Sequence, residues 1–246
     1  MEKFGLVGYP LGHSYSKKFF TEKFEKLGLN NHKYDLLEME YLKDFPPIWH
    51  NQELKGVNVT VPHKENVMGF LDLLDSSAQK VGAVNVVKRE MGGKLKGYNT
   101  DYLSFKETLA GWLPTTQLSA LVLGSGGSSK AVQAALDELR IDYLVVSRKR
   151  SEDGVTYLDL KKQPELIQSN LLIVNTTPLG TFPEVEGKAD IPYEQLTASH
   201  FLYDLVYNPA ETAFMAAGKK QGAQVKNGLQ MLQLQAEKSW EIWMRR

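Results

Sequence analysis

Short runs of valine, isoleucine and leucine alternate along this chain with segments whose apolar residues recur every three or four positions. Strands separated by helical stretches pair in parallel, because a parallel neighbour is reached only through a crossover. The chain therefore reads as an α/β protein. In its first hundred residues strands are expected near 3–8, 33–38, 57–61 and 84–89. Met91-Gly92-Gly93 supplies the φ > 0 positions of a hairpin turn into a further strand at 95–98. Between the first two strands, Phe19, Phe20, Phe24 and Leu27 fall on one face of a helix that starts near Ser14 to Ser16.

After a helix expected over 101–112, Leu113-Pro114-Thr115-Thr116 breaks the pattern as a linker does. A second α/β run follows, with strands expected at 118–123, 143–147, 171–175, 201–206 and 224–226. The last helical segment places Leu229, Leu232, Ala236, Trp240 and Trp243 on one stripe, wide enough to dock on another surface.

A chain of 246 residues can build one large domain or two modest ones. Its 29 Lys and Arg balance 29 Asp and Glu, so no global charge draws it to nucleic acid or to an anionic membrane. Cysteine is absent, which removes disulfides, thiolate nucleophiles, iron–sulfur ligation and cysteine-containing zinc sites. His13, His32, His50, His63 and His200 are scattered without the i, i+4 pairing of a helical metal site, and no metal is expected. No stretch has the apolar length of a signal peptide core or a membrane span. A soluble, cytoplasmic protein is expected.

The strand ending at Leu123 runs into Gly124-Ser125-Gly126-Gly127-Ser128-Ser129-Lys130-Ala131 and then directly into a helix. This strand, glycine turn and helix order suits a dinucleotide: glycines let the backbone approach a pyrophosphate, and the helix N-terminus offers amides and a positive dipole end. The third position of the G-x-G-x-x-G pattern is Ser129, not Gly or Ala. About 20 residues further on, where an NAD site carries an acid for the ribose, stands Ser147-Arg148-Lys149-Arg150. Alone, such a triplet is a solvated loop. At this position its cations suit a 2′-phosphate, which favours NADP over NAD, with Glu152 and Asp153 close by.

In the first half, Ser14 and Ser16 flank one residue at a helix start, where they can cap the helix or receive a carboxylate. Lys64 follows Asn58-Val59-Thr60-Val61-Pro62-His63 at a strand's carboxyl end, the side on which open α/β sheets bind ligands. By residue type alone, His63 is a packing or capping group, Lys64 a solvated one, and Asn99-Thr100-Asp101 a helix cap.

Together these segments resemble the shikimate dehydrogenase family. The motifs are Gly8-Tyr9-Pro10 with His13-Ser14-Tyr15-Ser16, then 58–64, Gly82-Ala83-Val84-Asn85, Gly97-Tyr98-Asn99-Thr100-Asp101 and 124–131. Asn175-Thr176-Thr177-Pro178-Leu179-Gly180, Asp204-Leu205-Val206-Tyr207 and 227–235 complete them, in the family's order over nearly the whole chain.

The resemblance implies NADPH-dependent reduction of 3-dehydroshikimate to shikimate, a step toward chorismate and the aromatic amino acids. It implies a substrate-binding domain over 1–101, completed by a returning helix at 228–246, and a Rossmann-type NADP-binding domain over 102–227. Lys64 and Asp101 match the catalytic pair. Ser14 and Ser16 match the carboxylate contacts, with Tyr207 near them, and Thr60, Asn85, Asp101 and Gln235 match contacts to hydroxyls or the carbonyl. Gly124, Ser125, Gly126, Gly127 and Ser128 would cradle the pyrophosphate, Ser147, Arg148 and Lys149 the 2′-phosphate, and Leu205 and Gly228 would border the nicotinamide. Three positions depart from the family's pattern: Lys17-Lys18-Phe19-Phe20 after the serines, Ser147-Arg148-Lys149 where Asn-Arg-Thr is usual, and Ser76 where an acid is common. A quinate or dual-specificity enzyme using NAD, and a non-catalytic ligand-binding regulator on the same scaffold, are the competing readings. Monomer and homodimer both remain open.

Overall fold

The computed structural model describes residues 1–12, 14–149 and 154–245. His13, Arg150, Glu152 and Asp153, named above, lie outside them. The chain forms two compact units, Met1–Thr100 with Gln235–Arg246, and Asp101–Leu234. No helix among the described residues is long and apolar enough to cross a membrane.

The first unit is a six-stranded sheet of β1 (Glu2–Gly8), β2 (His32–Glu38), β3 (Leu54–Val59), β4 (Leu73–Leu74), β5 (Val86–Arg89) and β6 (Leu95–Tyr98), in the order β2-β1-β3-β5-β6-β4. β1 lies parallel to β2 and β3, whereas β5 is antiparallel to both β3 and β6. The sheet is thus mixed: parallel pairing holds for β1 with β2 and β3 and for β4 with β6, but not for β5. The reason is local. Gly92 and Gly93, at φ 86° and 85°, turn the chain back on itself, so no crossover separates β5 from β6. Helix α1 (Tyr15–Lys26) and the short helices α2 (Phe45–Ile48) and α3 (Ser76–Val81) cover the strands.

The second unit carries α4 (Asp101–Ala110), β7 (Ala120–Leu123), α5 (Gly127–Leu139), β8 (Tyr143–Ser147) and β9 (Gly154–Thr156). After α6 (Tyr157–Lys162) and α7 (Glu165–Ser169) come β10 (Leu172–Asn175), β11 (Phe201–Asp204), α8 (Ala213–Lys220) and β12 (Gln224–Lys226). The sheet order is β12-β11-β10-β7-β8-β9, all parallel. Counted within the unit this is the doubly wound dinucleotide-binding order, whose switch point lies between β7 and β10. β7 and β10 are apolar at every position but Asn175, as befits strands covered on both faces.

Helix α9 (Leu229–Met244) is divided. Met231 packs in the second unit's core with Phe105, Leu109 and Tyr203. Ala236, Ile242 and Trp243 join the first unit's core of Phe4, Phe20, Phe24 and Tyr34, and Trp240 packs against it. The Trp243 ring stacks on Phe4 at 4.8 Å between centroids, and its indole N–H donates to the Val87 carbonyl at 3.1 Å. A Cβ on Gly56 would fall 2.2 Å from that indole nitrogen, so the helix seats only because strand β3 carries glycine there.

Candidate active site

In the first unit the carboxyl ends of β1 and β3 stay joined beyond the ladder. Thr60 N–H donates to Val7 O at 2.8 Å, and Tyr9 N–H to Val61 O at 3.1 Å. Gly8 permits this, since a Cβ there would sit 2.4 Å from the Thr60 methyl. Thr60 then closes a tight turn by accepting from His63 N–H at 2.9 Å. His63 is buried and its Nε2 lies 2.6 Å from Met39 O, a carbonyl that can only accept, so Nε2 holds the proton and His63 is a packing group. Lys64 follows it, half-buried, its carbonyl accepting from Val84 N–H at 2.7 Å.

Ser14 occupies the N-cap position of α1, but its side chain makes no capping hydrogen bond. The expected capping role is not met. Its Oγ is instead buried with no partner among the described residues, an arrangement that costs free energy unless something else satisfies it. Ser16, two residues on, is buried as well.

Asn85 is engaged at both ends of its amide. Its Nδ2 donates to Thr100 Oγ1 at 2.9 Å and reaches Gln235 Oε1 at 3.5 Å, while its Oδ1 accepts from Thr100 N–H at 2.8 Å. The structure thus brings Asn85 and Gln235 together, with Thr100 between them. A second line of buried groups runs from Tyr34 through Asn58 to Ser239, where Asn58 Nδ2 donates to Ser239 Oγ at 2.9 Å and Ser239 Oγ to Gln235 O at 2.7 Å. Sequence reasoning gave Tyr34 and Ser239 no role. Tyr34 reads as an ordinary core aromatic, but Gln235 and Ser239 are four apart on an otherwise apolar buried face, a spacing that marks a polar pair.

In the second unit, Gly124 has φ 112°, and a Cβ there would meet Thr176 Oγ1 at 2.7 Å, so both backbone and space require glycine. Gly126 is the N-cap of α5, and a Cβ there would meet nothing within 4 Å: the turn is open above it. The first turn of α5, with Gly127 and Ser128, presents amides that have no acceptor within the helix. Ser125 lies exposed at the top of the turn. Ser129, the departure from the glycine pattern, is fully buried and donates its hydroxyl to Gly124 O at 2.7 Å. It ties the turn shut where a third glycine would only let it pack.

β8 ends at Ser147, whose hydroxyl bonds the Lys149 carbonyl and so folds the exit of the strand into a turn. Arg148 and Lys149 project from that turn, exposed. Arg148 lies near enough to Tyr157 for its charge to oppose the upward push of burial on that phenol.

At the end of β11, Asp204 is fully buried. Its Oδ1 accepts from Asn175 Nδ2 at 2.9 Å and Val206 N–H at 3.0 Å, and its Oδ2 accepts from Thr212 Oγ1 at 2.6 Å. Burial outweighs these donors and pushes its carboxyl up to about 6. This hub fixes the loop that carries Leu205 and Tyr207. Leu205 N–H donates to Asn175 O at 3.0 Å and Gly228 N–H to Val206 O at 3.1 Å, and a Cβ on Gly228 would fall 2.1 Å from Leu205 O. Leu205 and Gly228 therefore lie against each other. Asp101, the first residue of α4, also belongs to this unit. Among the described residues, no three His, Asp or Glu side chains gather as a metal site would need.

The open turn above Gly126 and the cations after β8 fit a phosphorylated dinucleotide such as NADP, the first leaving room for a pyrophosphate and the second pairing with a 2′-phosphate. Comparison with known proteins gives this geometry a context. Residues 6–87 match the model of the shikimate dehydrogenase substrate binding domain. The chain is 39% identical to the shikimate dehydrogenase (NADP(+)) of Clostridium beijerinckii, over 99% of this chain and 92% of that protein. With the enzyme of the same name from Caldanaerobacter subterraneus it shares 36%, over 98% and 90%. Shikimate 5-dehydrogenase of Thermus thermophilus, solved in complex with NADP(H) and shikimate, superposes with a TM-score of 0.85 at 32% identity, covering 99% of this chain and 94% of that one.

Proposed function

Because the chain belongs to the shikimate dehydrogenase family, we propose that it interconverts 3-dehydroshikimate and shikimate with NADP(H) as its cofactor. The observation that carries this reading is likeness over nearly the whole chain to proteins of that name.

NADPH, when bound, supplies the hydride. Gly124 to Ser128 would hold its pyrophosphate, Ser147, Arg148 and Lys149 its 2′-phosphate, and Leu205 with Gly228 would border its nicotinamide. The remaining work falls to side chains. A carbonyl carbon that receives a hydride leaves negative charge on its oxygen, and a positioned ammonium answers both needs there, charge and proton. Lys64 has that role. Asp101 grips the neighbouring hydroxyl and assists the proton transfer. Ser14 and Ser16 receive the carboxylate, with Tyr207 beside them, and the buried hydroxyl of Ser14 is satisfied when they do. Thr60, Asn85 and Gln235 hold the substrate's hydroxyls or its carbonyl.

The test is a spectrophotometric assay of shikimate and quinate, each with NADP and with NAD. Shikimate with NADP is expected to give by far the highest kcat/KM. Equal kcat/KM for the two cofactors would overturn the NADP assignment, and no turnover in any pairing would favour a ligand-binding protein.

A further inference from the structure

Asn175 ends β10 and stands beside Asp204, the last residue of β11, in the parallel register. It is fully buried, and it is the one polar residue of its strand. A buried amide is costly unless both of its ends are bonded, and here the bonds reach two different loops.

Thr177 N–H and Val206 N–H are backbone groups and can only donate. The first meets Asn175 Oδ1 at 3.1 Å and the second meets Asp204 Oδ1 at 3.0 Å, so both oxygens accept and the Asn175 amide has one orientation. Its Nδ2 therefore faces Asp204 Oδ1 and donates to it at 2.9 Å. Thr177 adds its hydroxyl proton to Asn175 Oδ1 at 2.7 Å. The Asn175 carbonyl, for its part, accepts from Leu205 N–H at 3.0 Å.

Two successive amides after β11, those of Leu205 and Val206, are thus held by Asn175 and Asp204. Gly228 closes the far side, donating its N–H to Val206 O at 3.1 Å. On the opposite flank of β10, the Thr176 N–H and hydroxyl both donate to the carbonyl of Leu123, the residue before Gly124, at 2.9 and 2.7 Å. Asn175 therefore stands between the glycine turn and the wall of Leu205 and Gly228, at the carboxyl ends of strands beside the switch point. The two flanks differ in what holds them. The glycine turn is closed by its own bonds, Ser129 to Gly124 O at 2.7 Å and Gly124 N–H to Val146 O at 2.8 Å, whereas the Leu205 segment depends on the Asn175 and Asp204 pair.

We infer that Asn175 is a positioning residue: with Asp204 it fixes the Leu205 segment against which the nicotinamide rests, and leaves the pyrophosphate turn to hold itself. The inference rests on the reading of Leu205 as a border of the nicotinamide. It places Asn175 on no reacting atom.

The experiment compares Asn175→Ala with wild type by two measurements. One is kcat for shikimate oxidation with NADP, and the other is the Kd of 2′-phospho-ADP-ribose, the part of the cofactor without nicotinamide, by titration calorimetry. In the variant kcat is expected to fall roughly tenfold, because a small displacement of a reacting carbon is costly in rate. The Kd of the fragment should change by less than about twofold, since the groups that hold it keep their own bonds. A Kd weakened as much as kcat would show that the whole cofactor site has shifted, and an unchanged kcat that the Leu205 segment stays in place without the amide. Either result overturns the inference. Should Asn175→Ala fail to fold, Asn175→Asp is read by the same two measurements and the same criteria: it keeps the shape and the acceptor for Thr177 but has no amide hydrogen to give Asp204. A wild-type protein that binds the fragment without oxidising shikimate would instead remove the functional reading, and this inference with it.

Discussion

Ser129 reaches back from the first turn of α5 and donates its hydroxyl to the carbonyl of Gly124, closing the glycine turn over five residues at 2.7 Å. The same oxygen accepts from Gln133 Nε2 at 2.9 Å. Ser129→Ala takes a bond from each of two half-buried partners, so a loss of about 1–2 kcal/mol in urea unfolding is expected. KM for NADPH should rise with it, while KM for shikimate stays put. A variant that unfolds at the wild-type midpoint would show that the turn holds without the serine.

Lys64→Ala is expected to lower kcat by about 10²–10⁴-fold with little change in KM for shikimate. The reason is timing: the charge that the ammonium answers exists on the carbonyl oxygen only as the hydride arrives. Steady-state kinetics of the purified variant decide it, and near-normal turnover would place the proton donor elsewhere.

Removing Arg148 tests the second phosphate contact. Charge-assisted hydrogen bonds are worth about 1.5–3 kcal/mol, so Arg148→Ala should narrow the preference for NADPH over NADH by roughly 10- to 100-fold. The measured ratio of kcat/KM for the two cofactors gives the answer, and an unchanged ratio would leave the 2′-phosphate to other groups.

Asp204 gives the fold a pH dependence of unusual sign for a carboxylate. Its folded value near 6 lies above the ordinary 3.8, so the folded chain holds this proton more tightly than the unfolded one. The stability this contributes is complete below about pH 4 and is lost as pH rises through about 6, up to about 3 kcal/mol. Asp204→Asn carries no such proton. Its Oδ1 can keep the bonds from Asn175 and Val206, and its amide nitrogen can donate to Thr212. Urea titrations from pH 4 to pH 7.5 should show wild type falling relative to the variant, and parallel curves would contradict the raised value.

Gly56→Ala tests the seat of the last helix. The added methyl would collide with the Trp243 indole at 2.2 Å, and overpacking of this kind costs about 1–3 kcal/mol. Thermal unfolding should register the loss, and a variant as stable as wild type would mean that α9 shifts freely.

The α/β class, the glycine turn and most strands were legible from spacing alone, because parallel strands buried on both faces leave apolar runs such as 120–123 that nothing else explains. β4 and β9 were not, being two and three residues long and too short to show a period. The antiparallel course of β5 was only half visible: the glycine pair announced a hairpin, but the pairing of β5 with β3 is a tertiary choice. In the site, hydroxyls beside a helix start could be picked out by position. Tyr34 could not, since the alternation that sends it inward says nothing of the Asn58 amide that awaits its hydroxyl. Ser129 was legible only as a departure, and its bond to Gly124 gives the reason for it.

The division of α9 has a consequence for how the molecule is made. The first unit needs residues on both sides of the second, and Phe4, Phe20 and Phe24 lie against Trp240 and Trp243. A ribosome emits everything the second unit requires before it emits those tryptophans. The unit begun first is finished last, and until α9 is released its aromatic cluster waits uncovered.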